Sequence, residues 1–121
     1  MSASFRDLRV WQEAMALAKL VYKSTAEFPR SEVYGLAQQM RRSAVSVPSN
    51  IAEGKGRRFN KEFAHFLLQS RGSLWELQTQ ILIAEELQYI PEEKRGELLK
   101  KAEDVSRALS GLISSVSSEA A

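Results

Sequence analysis

The stretch Arg41–Arg58, RRSAVSVPSNIAEGKGRR, gathers the side chains best able to meet an anion. Arg41 and Arg42 open it, Lys55, Arg57 and Arg58 close it, and Lys61 follows. Between residues 30 and 58, Arg30, Arg41, Arg42, Lys55, Arg57 and Arg58 stand against Glu32 and Glu53, a local net charge of +4 in a chain whose total is +2. Such an excess can hold phosphate. The competing reading is a solvated basic face, or one paired with the acidic stretch that follows. On a helix the first two arginines lie roughly 20 Å from the later cations. An extended strip for a polyanion therefore fits them better than one pocket for a small phosphate. EGKGRR at 53–58 is not a phosphate-binding loop, which needs a longer glycine spacing and a Lys-Ser/Thr pair opening a helix. It is not a dinucleotide fingerprint either, because no strand precedes it. The expected nucleic-acid-binding residues are Arg41, Arg42, Lys55, Arg57, Arg58 and Lys61.

Other chemistries find less support. The absence of cysteine excludes disulfides, thiolate metal sites and thiol nucleophiles. Glu62 and His65 share a helical face, but a di-iron bundle uses two such pairs and His65 is the one histidine present. A solvent-facing or capping histidine is the expectation, with no metal and no cofactor. No spacing supports a Ser-His-Asp centre. Glu85–Glu86 and Glu92–Glu93 are adjacent, so each pair diverges around a helix and reads as solvated surface. Phe59, Phe63 and Phe66 could stack on bases if exposed. As a cluster they are expected in the core, as are Trp11 and Trp75.

Four periodic segments must carry these residues. Trp11, Ala14, Ala18, Val21, Thr25 and Phe28 alternate spacings of three and four, one stripe of a helix. Val33, Ala37, Met40, Ala44, Val47 and Ile51 repeat that rhythm, as do Phe63, Leu67, Ser70, Leu74, Leu77, Ile81 and Ala84. Leu98, Ala102, Val105, Leu109, Leu112 and Val116 form the fourth stripe. Pro29 ends the first helix, Asn60 can cap the third, and Pro91 suits the start of the fourth. Helices are expected at approximately 5–28, 32–54, 60–89 and 91–117. Spacings near 3.5 and short connections predict an all-α, antiparallel up-down-up-down four-helix bundle, one domain over residues 1–121.

The second helix carries Pro48 inside its pattern, so a kink or break is expected there. Ser43, Ala44, Ser46, Ser49, Ala52 and Gly54 surround it. So many small residues allow close packing of a neighbouring helix, or else a subunit contact. Gly72, between Ser70 and Ser73, marks a second close approach. Val10, Leu17, Leu68, Ile83 and Leu99 lie off the main stripes and are expected at a subunit interface. Apolar residues at 44% and charged residues at 26% describe an ordinary globular chain. No apolar run reaches the ~18 residues of a membrane span. The N-terminus MSASFRDLRVWQ lacks a signal-peptide core. A cytoplasmic protein without membrane contact is the expectation.

Three runs together resemble a known family: FRDLRVWQEAM at 5–15, VYKSTAEFPRSEVYGLAQQMRRSAVSVPSNIAEGKGR at 21–57 and FAHFLLQSRGSLWELQTQILIA at 63–84. The chain is similar to the bacterial four-helix-bundle proteins encoded within intervening sequences of 23S rRNA genes. Pro48-Ser-Asn-Ile-Ala-Glu-Gly54 is the most specific element. The resemblance implies an up-down bundle assembled as a ring-like homopentamer, with no enzymatic activity. It also implies kinship with the accessory proteins of diversity-generating retroelements, basic pentameric bundles that bind nucleic acid and work with a reverse transcriptase. The expected function is thus a non-catalytic oligomeric bundle binding RNA or DNA. The alternative is a protein-interaction adaptor, with a reverse transcriptase or another protein as partner.

Overall fold

The computed structural model describes residues 4–120. Four helices dominate it: α1 (Arg9–Thr25), α2 (Leu36–Lys55), α3 (Asn60–Glu86) and α4 (Glu92–Ala120). Short 3-10 turns at Phe5–Asp7 and Arg30–Glu32 precede α1 and α2. Each helix packs on its neighbours in sequence, and α1 closes the ring against α4. The interface of α2 with α3 is the most extensive. This is the up-down-up-down bundle that the spacing predicts.

The stripes become the core, except for Val33, which is exposed ahead of α2, and the partly buried Trp11 and Leu112. Leu17, Val21, Met40, Val47, Ile51, Leu67, Leu74, Leu77, Ile81, Leu98 and Leu109 are fully enclosed. Val10 and Leu17, expected at a subunit interface, also point into this core. They lie one position before Trp11 and Ala18, within the wide apolar face of a bundle helix. Leu68 and Ile83 do face solvent.

The helix ends differ from the expected limits for identifiable reasons. α1 stops at Thr25, where Ser24 and Thr25 turn their hydroxyls back on the carbonyls of Leu20 and Val21, both at 2.8 Å. Phe28 then folds into the core beside the Tyr89 ring, with centroids 5.3 Å apart. α2 begins at Leu36 because the Glu32 carboxylate accepts the Leu36 N–H at 2.9 Å and satisfies a free donor of its first turn. The other oxygen of Glu32 accepts the Tyr89 hydroxyl at 2.7 Å. Gly35 leaves the room, since a Cβ there would collide with that carboxylate. α3 ends at Glu86 in a Schellman motif. Gln88 takes φ 62°, Tyr89 N–H reaches the Ala84 carbonyl and Gln88 N–H the Glu85 carbonyl, both at 2.9 Å.

Glu32 makes the fold sensitive to acid. The Leu36 N–H and then the Tyr89 hydroxyl hold its carboxyl below the ordinary glutamate value. Its contribution is therefore present above that value and is lost as pH falls through the lowered one. The same bond raises the Tyr89 phenol, whose contribution is lost only as pH rises past the ordinary tyrosine range. Melting wild type and Glu32→Gln from about pH 7 to about pH 3 checks this. The wild-type advantage is expected to shrink on acidification. An advantage that grew instead would contradict the bond.

α2 carries on through Pro48 without interruption, so the helix does not break there. Pro48 is buried, and side chains serve the carbonyls around it. Ser49 donates to Val45 O at 2.8 Å, Asn50 to Ser46 O at 2.9 Å, and Ser70 of α3 to Val47 O. Of the small residues of α2, Ser43, Ser46 and Gly54 serve the interface with α3, while Ser49 and Ala52 face α1. Ser43 Oγ donates to Glu76 at 2.7 Å, and Ser46 Oγ lies 2.8 Å from Ser73 Oγ. Gly72 takes no part, because a Cβ there would meet open space.

Candidate nucleic-acid interface

The turn from α2 to α3 is short because Gly54 lets the two helices meet. A Cβ at position 54 would sit 2.7 Å from Phe66 Cβ and 3.0 Å from Phe63 Cδ1. Gly56 N–H caps α2 on the Ala52 and Glu53 carbonyls, and Arg57 N–H returns to Gly54 O at 3.0 Å. The chain then reverses, and α3 starts at Asn60 with Phe59 as its N-cap. The expected cap, Asn60, is instead the first helical residue, and its amide donates to Glu119 of α4 at 3.1 Å. No side chain caps α3, so its first N–H groups remain open donors.

Four of the six expected cations gather here. Lys55 Nζ lies 5.8 Å from the Phe63 ring centroid. The Arg57 guanidinium lies 4.7 Å over Phe66 and pairs with Glu53 at 2.9 Å. Arg58 lies 5.4 Å from the Phe59 centroid. Lys61 is exposed on the first turn of α3 and shares a shallow groove with Arg57, Glu62, His65 and Leu68. Among the described residues, Arg57 is the one member of this group in a salt bridge. That pair is exposed, the kind worth about 0–1 kcal/mol, so a phosphate can displace it.

Arg41 and Arg42 stand apart, about 20 Å up the helix. Arg41 fastens α2 to the end of α1. Its Nε donates to Thr25 Oγ1 at 2.8 Å, its Nη2 to Tyr22 O at 3.3 Å, and it covers the Tyr22 ring at 4.7 Å. A cation at the end of α1 also suits that helix's dipole. Arg42 is exposed beside Tyr22, Tyr34 and Val45 in a separate groove. Between the two basic groups, α1 and α2 enclose an open apolar groove of about 620 Å³ lined by Trp11, Met15, Tyr22, Val45, Pro48 and Ala52. The expected strip is therefore two separate groups, and the α2–α3 turn is the denser.

His65 is exposed, with Nε2 3.1 Å from the Gln69 amide. Among the described residues, no three His, Asp or Glu side chains gather as a metal would need. Glu85 is not free surface, since Arg95 of α4 holds it at 3.0 Å. Phe63 is core, whereas Phe59 is 59% exposed and Trp75 54% exposed, against expectation. Trp75 lies under the Arg71 guanidinium at 4.9 Å and is aligned with exposed Leu68 and Leu82 at spacings of seven. At the opposite end of the bundle carboxylates and cations interleave, Glu85 and Glu92 pairing with Arg95 and Glu97 with Lys94. No described helix is long and apolar enough to cross a membrane.

A family model described as 23S rRNA-intervening sequence protein matches residues 6–111. Among solved structures, the chain is similar to a crystal structure of a protein of unknown function from the S23 ribosomal protein family of Bacteroides thetaiotaomicron. The TM-score is 0.78 at 18% identity, covering 86% of this chain and 97% of that one. At that identity the likeness is one of fold. No curated protein matches the chain.

Proposed function

The chain belongs to the 23S rRNA-intervening sequence protein family, and from that premise we propose that it is a non-catalytic, oligomeric bundle binding RNA or DNA through its cationic end. The observation that carries this reading is the convergence of Lys55, Arg57, Arg58 and Lys61 on one turn, where Arg57 alone is salt-bridged and Glu62 and Glu119 border the group unpaired to it. Phosphates are held by cations, and open N–H groups at a helix start add positive potential. A cysteine-free chain with this role fits the cytoplasm.

Assembly supplies the affinity that one modestly charged end lacks. Leu68, Trp75 and Leu82 form an exposed heptad-spaced stripe on α3. The α1–α2 groove offers an apolar seat with Lys19 and Lys23 on its rim, and exposed Glu86 accompanies the stripe. The stripe of one copy fits the groove of the next. Where its rotation closes, such a head-to-tail contact builds a ring, as in the homopentamer that the family resemblance implies.

Gel-shift titration with structured RNA and with duplex DNA at two salt concentrations tests the binding. Four phosphate contacts predict about a 100-fold loss of duplex affinity for a four-fold rise in salt. Arg57→Ala with Arg58→Ala should weaken every complex. No shift at low salt, or one unaltered by that pair, would remove the reading.

A further inference from the structure

We propose that the cationic end takes single-stranded rather than duplex nucleic acid, with an unpaired base lying on the free face of Phe59. This rests on the nucleic-acid reading above and adds the form of the ligand.

Phe59 is the observation. It is a phenyl ring left 59% exposed on the one turn where four cations meet. Its neighbours are otherwise employed, since Phe63 is buried in the core and Phe66 is half-buried beneath Arg57. Arg58 lies against Phe59 at 5.4 Å from the ring centroid. A base on the free face would complete a stack of guanidinium, ring and base, which every nucleobase can join because each has a π-face. Lys55, Arg57 and Lys61 then flank that base, placed for the phosphates before and after it. A duplex offers the same phosphates but keeps its bases paired and stacked, so the ring gains nothing from it.

Other aromatics beside a cation differ. Trp75 has a cation, Arg71, but lies in line with Leu68 and Leu82 on an apolar stripe. Phe5 has Arg6 but is packed edge-on against Trp11, with centroids 5.3 Å apart. Tyr22 and Tyr34 share a groove with Arg41 and Arg42, but Arg41 covers the Tyr22 ring and is tied to Thr25, whereas Phe59 stands among four cations.

Fluorescence anisotropy at low salt tests this with three probes of equal length: an oligothymidylate, a duplex, and an abasic phosphodiester strand. Wild type is expected to bind oligothymidylate tightest. Phe59→Ala is expected to lose about ten-fold on that probe alone, with the helical signal unchanged because the ring packs in no core. Phe59→Trp is expected to restore it. Equal affinity for the three probes, or an equal loss on all three in Phe59→Ala, would overturn the inference and leave the nucleic-acid reading standing. Failure to bind any probe at low salt would overturn both.

Discussion

Gly54→Val will cost the bundle about 3 kcal/mol or more and displace the cationic turn with it. The new Cβ would lie 2.7 Å from Phe66 Cβ and 3.3 Å from the Phe63 carbonyl oxygen. Both atoms belong to or adjoin the α3 backbone, so neither can swing aside as a flexible side-chain tip would. The helices must part, and the valine methyls widen the gap further. Alanine adds the same Cβ but recovers about 1 kcal/mol of helix propensity, so Gly54→Ala should be milder. Gly72 is an internal control, because a Cβ there meets nothing within 4 Å. Gly72→Ala should stabilise by up to about 1 kcal/mol. Urea unfolding of the three variants reads the ranking directly. Gly54→Val as stable as wild type would mean that α2 and α3 do not cross at this glycine.

The second large effect concerns assembly. Trp75→Glu with Leu82→Glu places two carboxylates on the stripe assigned to subunit contact. Neither side chain lies in the core, since they are 54% and 46% exposed, so the fold should survive. Light scattering should find a multiple of 13.6 kDa for wild type and a 13.6 kDa monomer for the variant. Nucleic-acid affinity should fall with it by at least about 100-fold, because linked sites bind with avidity that separate ones lack. A monomeric wild type would contradict the assembly outright. A variant still assembled would place the contact elsewhere on the surface.

Much of this architecture is legible in the residues. The α3 stripe from Phe63 to Ala84 is buried position for position, because a 3/4 spacing leaves a long helix one face to bury. What periodicity misses are features made by contact between distant segments. Glu32 reaches forward to Leu36 and across to Tyr89, which fixes the start of α2 later than its apolar rhythm predicts. Arg41 belongs to a basic run in the sequence but bonds to residues 16 and 19 positions earlier. Trp75 and Phe59 look like core residues by type, and only the packing shows their rings in solvent. The +4 excess between residues 30 and 58 is legible in the chain, whereas its division between Arg41–Arg42 and the α2–α3 turn follows from the fold.

The most direct measurement is the salt dependence of single-strand binding, taken on wild type and on a variant with Lys55, Arg57, Arg58 and Lys61 all changed to alanine. Four phosphate contacts predict a slope of log affinity against log salt near −3 for wild type, and steeper in an assembly. The variant should approach a flat line and lose most of its low-salt affinity. Identical slopes in the two proteins would contradict the assignment of nucleic-acid binding to the α2–α3 turn.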